Sequence, residues 1–101
     1  MVLEIADIHI RPGQQAAFEA AIAQGLHAVL SKSTGFIGSS LHKGLESPER
    51  YVLQIRWKTL DNHTIDFRES PAFPAWRALV GPFFAVPPVV EHFDEVTAAA
   101  I

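Results

Sequence analysis

The chemistry open to this chain rests on few side chains. It has five histidines, eleven acidic residues, eight basic residues and no cysteine. Without cysteine there is no disulfide framework, thiol nucleophile or zinc knuckle. His9, His27, His42, His63 and His92 are scattered. None forms the H-x-x-x-H or H-E-x-x-H pair that aims two ligands at one ion, so no metal is expected. Gly35-Phe36-Ile37-Gly38 follows a helical pattern and enters a strand, the reverse of a dinucleotide fingerprint, and no G-x-S-x-G elbow is present. What stands out is an aromatic-rich stretch with polar groups set into it: Trp57, His63, Phe67, Phe73, Trp76 and Arg77, followed by Phe83 and Phe84. Apolar walls with a few convergent donors and acceptors suit a flat aromatic ligand. The same aromatics also suit a plain hydrophobic core. Core is the simpler reading for each phenylalanine, while Trp57 and Trp76 fit core or cavity wall equally.

His63 sits between Leu60 and Phe67 on one side of a short helical pattern. It is either a buried, hydrogen-bonded residue or a general base for a phenolic hydroxyl, because an imidazole titrates near neutrality. Arg77 shares a face with Phe73 and would either hold a developing oxyanion or reach the surface to pair with a carboxylate. Asp66, Glu69, Glu91, Asp94 and Glu95 read as solvated faces or strand edges.

These residues need a scaffold, and hydrophobic periodicity supplies one. Residues 2–10 are rich in β-branched side chains and read as a strand whose alternation breaks around Ala6–Asp7, suggesting a bulge or a sheet covered on both faces. Arg11-Pro12-Gly13 is a turn. From Gln14, the spacing of Phe18, Ala21, Ile22, Leu26, Val29 and Leu30 predicts a helix. Gly35 opens a second strand with Ile37, Ser39, Leu41 and Lys43 on one face. After the LESPER turn, YVLQIRW has the clearest period of two, placing Tyr51, Leu53, Ile55 and Trp57 together. Thr59 caps a second helix carrying Leu60, His63 and Phe67. Ser70-Pro71 restarts it, with Phe73, Trp76, Arg77 and Val80 on one face until Gly81-Pro82. VVEHFDEV makes a last strand, and the AAAI tail reads as a frayed end.

The order β-α-β-β-α-β with right-handed crossovers predicts an α+β, ferredoxin-like fold: a four-stranded antiparallel sheet with both helices on one face. The other face, left uncovered, would carry some of Leu3, Ile5, Tyr51, Leu53, Ile55 and Trp57, which predicts a homodimer through that face. The 101 residues make a single domain spanning 1–101, and 49% hydrophobic content supports a packed core. A net charge of −3 gives no footprint for a phosphate backbone, so no nucleic-acid partner is expected. No apolar run reaches the roughly 18 residues a membrane span needs, and Glu4 and Asp7 stand where a signal peptide is basic and then apolar, so the expected location is cytoplasmic, with no membrane partner.

The segment WKTLDNHTIDFRESPAFPAW, with RPGQQAAFEAAI and TGFIGSSLHKGLESPERYVLQIRW before it, resembles the antibiotic biosynthesis monooxygenase domain family. The likeness runs from strand one through PPVVEHF. It rests on the Pro-Gly entry to helix one, the Gly-Phe opening of strand two, the Arg-Tyr-Val start of strand three, and a Trp-x-Thr leading to a short aromatic helix. The resemblance implies a dimeric α+β barrel with a ligand pocket in each protomer. It also implies a monooxygenase that oxidises a small phenolic, quinol or polycyclic aromatic substrate with dioxygen and no cofactor. Under it, His63 and Arg77 are the expected catalytic residues, and Trp57, Phe67, Phe73 and Trp76 the substrate-binding ones. Trp57 and Arg77 match a pocket tryptophan and arginine of the anthrone-oxidising members. His63 falls where those carry a functional tyrosine, and Leu53 where they carry an asparagine. Quinol-oxidising relatives place a histidine near Phe67. The iron-ligating histidine of the haem-degrading branch corresponds to Trp76 or Arg77, neither of which can serve. Two alternatives share the same pocket: a non-catalytic dimer that binds a hydrophobic metabolite, and an isomerase.

Overall fold

The computed structural model describes residues 1–99. Ala100 and Ile101, the end of the AAAI tail, lie outside the described residues. The chain forms β1 (Val2–His9), α1 (Gln15–Ala28), a short 3-10 turn (Leu30–Lys32), β2 (Phe36–Lys43) and β3 (Arg50–Trp57). A π-helical turn (Asn62–Phe67), α2 (Ala72–Val80), a second 3-10 turn (Gly81–Phe83) and β4 (Val89–Asp94) follow. The four strands make one antiparallel sheet in the order β2-β3-β1-β4. Both helices pack on one face, which is the ferredoxin-like arrangement expected from the element order.

The period of two in β3 decides the core. Tyr51, Leu53, Ile55 and Trp57 all point toward the helices and are buried. They meet Phe18 and Ile22 of α1, Val80 of α2, and Ala6 and Ile8 of β1. The Phe18 ring packs tilted at 58° against Tyr51, with 4.8 Å between ring centroids. The Tyr51 hydroxyl donates to Glu19 Oε2 at 2.6 Å, which satisfies its polar end.

Three expectations change. β1 has no bulge: its register runs unbroken from Val2 opposite Trp57 to His9 opposite Arg50. The irregular alternation arises because Glu4 lies on the inward face with Ala6 and Ile8, while Leu3 and Ile5 point outward. The bulge is in β2, between Phe36 and Gly38. The extra residue turns Ile37 outward and puts Phe36, rather than Ile37, against Trp57 at 6.0 Å, edge to face. Finally, the uncovered face carries Leu3 and Ile5 but none of the four large β3 residues. It is built from Leu3, Ile5, Val52, Val89 and Phe93, interleaved with Gln54, Arg56 and Glu91.

The loop after β3 is fixed by reciprocal bonds. Thr59 Oγ1 accepts the Asn62 N–H, and the Thr59 N–H donates to Asn62 Oδ1. Gly35, at φ +79°, passes so close to the Asn62 side chain that a Cβ there would overlap it. The turn that follows winds with i→i+5 bonds, Arg68 N–H to His63 O at 3.2 Å. This wider turn keeps the four-residue spacing His63–Phe67 on the inward face and swings Leu60 out to solvent. Ser70 Oγ then accepts the Ala72 N–H at 3.2 Å and starts α2, as the Ser-Pro pair predicts.

Candidate active site

A cavity of about 280 Å³ opens between the sheet and the helical segments that follow β3. Its floor is Ala6, Ile8, Leu53 and Ile55 from β1 and β3. Its walls are Phe67 of the π-helical turn, Phe73 and Trp76 of α2, and the segment Phe84, Pro87 and Pro88 leading into β4. The polar groups on it are Glu4, His63, Arg68 and Arg77. Of the six residues singled out from sequence, five border this space: His63, Phe67, Phe73, Trp76 and Arg77.

Trp57 does not. Its side chain is completely buried behind His63, with the two rings stacked at 5.3 Å and 15°. The reason is its place in β3: alternation drives it under the helices, and His63 and Phe67 come between it and the cavity. Its indole Nε1–H instead donates to Glu4 Oε1 at 2.9 Å. Arg77 is exposed at the cavity rim, its guanidinium 5.8 Å from the centre of the Phe73 ring.

A chain of polar groups runs from the cavity to the sheet edge. His63 Nε2 lies 3.4 Å from Glu4 Oε1, and both side chains are almost wholly inaccessible, 5% for His63 and 7% for Glu4. His63 Nδ1 lies 2.8 Å from His92 Nε2. His92 stands directly opposite Glu4 on the neighbouring strand β4 and is half-buried. Burial pushes the Glu4 carboxyl up to about 6, opposed by the Trp57 hydrogen bond and the nearby Arg68 charge. Burial also pushes His63 down to about 4, reinforced by the positive charge of Arg68 and by His92, and His92 is lowered for the first two of these reasons. At neutral pH Glu4 is therefore mainly ionised and both imidazoles are neutral. A neutral imidazole facing a carboxylate carries its proton on that side, so His63 holds it on Nε2 and accepts the His92 Nε2–H at Nδ1.

Sequence reasoning missed Glu4, Arg68 and His92. One signal was present for Glu4: it is the charged residue that breaks an otherwise apolar inward face with Ala6, Ile8 and Ile10. Nothing local distinguishes His92, because its role depends on β4 pairing with β1. Among the described residues, no cluster of three or more histidine or carboxylate groups is disposed to hold a metal ion. None of the described helices is long and apolar enough to cross a membrane.

The antibiotic biosynthesis monooxygenase family model matches residues 1–79. The chain belongs to the antibiotic biosynthesis monooxygenase family. It is 40% identical over 96 residues to the uncharacterized protein YczJ of Bacillus subtilis (strain 168), covering 95% of this chain and 100% of that one. A crystal structure of a candidate antibiotic biosynthesis monooxygenase from Bordetella bronchiseptica superposes with a TM-score of 0.90 at 45% identity, covering 95% of this chain and 97% of the other. SnoaB, a cofactor-independent oxygenase from Streptomyces nogalater, shares the fold with a TM-score of 0.81 at 18% identity, over 96% of this chain and 94% of that one.

Proposed function

We propose that this member of the family is a cofactor-independent monooxygenase acting on a small phenolic, quinol or polycyclic aromatic substrate with dioxygen. The observation that carries the reading is the aromatic-walled cavity of about 280 Å³ with a buried carboxylate–imidazole pair on its surface. Phe67, Phe73 and Trp76 supply flat apolar walls against which an aromatic ring stacks. The carboxylate–histidine unit that includes His63 takes up a substrate proton, leaving an electron-rich anion. That anion gives one electron to dioxygen, and the resulting radical and superoxide combine into a peroxide. Loss of water then converts a ring CH₂, or the equivalent keto form of a phenol, into C=O, with one oxygen atom in the product and one in water. The protein orients the ring, excludes water and stabilises the anion, with Arg77 at the rim contributing positive charge. Trp57 supports this site through Glu4 instead of touching the substrate.

The same reading includes a homodimer through the open sheet face, acting in the cytoplasm. Leu3, Ile5, Val52, Val89 and Phe93 present apolar surface there, with Val89 61% and Phe93 44% exposed. The deciding experiment is oxygen uptake by chelator-treated, flavin-free protein supplied with quinols, anthrones and dihydroxynaphthalenes. Uptake above autoxidation supports the oxygenase. Absence of uptake across the panel, with ligand still quenching tryptophan fluorescence, refutes it in favour of a binding or isomerase role.

A further inference from the structure

Glu4 makes both of its contacts through one oxygen. Oε1 accepts from Trp57 Nε1 and faces His63 Nε2, while among the described residues Oε2 has no hydrogen bond or ion pair. Every fully buried side-chain polar atom among the described residues has a hydrogen-bond partner. Oε2 is therefore not sealed in, and Glu4 is one of the residues that border the cavity. His63 is placed the other way round. One ring nitrogen, Nδ1, pairs with His92 Nε2 at 2.8 Å, and the other, Nε2, is turned toward Glu4 Oε1 at 3.4 Å.

We propose that Glu4, through its free oxygen Oε2, is the catalytic base of the cavity, that its ligand is a planar aromatic bearing an O–H directed at that oxygen, and that His63 is a positioning residue. The proposal deepens the oxygenase reading above and rests on it for the fate of the anion. In the step itself the substrate O–H bond breaks, its electron pair stays on the substrate oxygen, and the proton forms a new O–H bond to Oε2. The Trp57 donor on β3 and the positive charge of Arg68 favour the ionised carboxylate against its burial. His63 on the π-helical turn and His92, at the opposite register position on β4, face it as well, and Arg68 and Arg77 line the cavity. Those guanidinium groups stand where a negative charge that leaves Glu4 for the substrate remains balanced. The aromatic walls and the small volume select one flat ring system with its hydroxyl inward.

The test uses 2-naphthol, uncharged across the range studied, as a binding probe by calorimetry from about pH 5 to 7.5. An ionised Oε2 accepts the naphthol hydroxyl as a charge-assisted hydrogen bond, so affinity for the wild type should rise by roughly tenfold as pH passes through 6. Glu4→Gln, which keeps an acceptor for Trp57 but has no proton to lose, should bind with no such step. His63→Phe should move the step to higher pH without abolishing it, because loss of a facing N–H disfavours the carboxylate. In parallel, oxygen uptake with 1,4-dihydroxynaphthalene should fall by about 10²–10⁴-fold in Glu4→Gln. A flat wild-type profile, a step retained in Glu4→Gln, or absent naphthol binding overturns the proposal. The wild-type profile decides even if a variant fails to fold. A step that disappears in Glu4→Gln while no form of the protein consumes oxygen refutes the oxygenase and leaves Glu4 as the ligand's proton acceptor.

Discussion

Replacing Glu4 with glutamine should make the protein relatively more stable as pH rises while removing its proton acceptor. The folded carboxyl titrates at about 6, against an ordinary value of 4.5, because burial disfavours its charge. A raised carboxyl pKa means that the folded state binds the proton more tightly than the unfolded chain. The stabilisation from that proton is fully present below 4.5 and is lost as pH rises through 6. Over this window each pH unit is worth about 1.4 kcal/mol, so the wild type loses about 2 kcal/mol that Glu4→Gln does not. His63 acts with the opposite sign. Its pKa is held down to about 4 from 6.5, so its contribution is present above 6.5 and lost as pH falls through 4. Between roughly pH 4.5 and 6 the two groups offset each other in the wild type. Glu4→Gln uncovers the histidine slope, and its stability should climb by about 1.4 kcal/mol per pH unit there. Urea denaturation followed by circular dichroism, at several pH values and one protein concentration, measures the difference directly. Parallel wild-type and Glu4→Gln curves across the window would show that the carboxyl titrates normally in the folded protein. The case for a perturbed base would then collapse.

Three further outcomes follow from the same contacts. Trp57→Phe removes the donor to Glu4 and part of a fully packed ring; it should cost about 2–4 kcal/mol in urea denaturation and raise the pH of the naphthol-binding step. In Gly25→Ala the new Cβ would stand 2.7 Å from the Trp76 ring, a wall of the cavity. The ring must move, so naphthol affinity should drop and stability fall by about 1–3 kcal/mol, despite the better helix propensity of alanine. Ile5→Asp places a charge on the open sheet face, and light scattering should then report 11.1 kDa in place of twice that mass, with the circular dichroism spectrum retained. A wild type already at 11.1 kDa would refute the dimer.

Shared faces were legible in the sequence where the signal was local. His63 and Phe67 are four apart, and Phe73, Trp76 and Arg77 are three and four apart, so each group had to share a face of its own helical segment. Facing the cavity was a further condition that the sheet imposed. The cavity role expected for Trp57 failed for the same reason that its burial was legible. Strict alternation along β3 put it inward, but the depth at which it lies depends on His63 and Phe67 arriving from another element. Leu60 was misplaced because a helical period of 3.6 was assumed where the chain winds as a wider turn, and no residue type marks that choice.

The sequence by itself determined the element order, the inward face of β3, the caps at Thr59 and Ser70, and therefore the fold, because propensity, turn chemistry and periodicity act over a few residues. Only the tertiary structure decided which face of β1 is buried. Both faces carry apolar side chains, Leu3 and Ile5 on one and Ala6, Ile8 and Ile10 on the other, and packing against the helices chose the second. That choice carried Glu4 inside. Pairing of β4 with β1 brought His92 opposite it, and the π-helical turn set His63 between them. Residues 4, 63 and 92 are distant along the chain. Their proton affinities come from a shared loss of solvent, a property of the folded interior that no single stretch of sequence possesses.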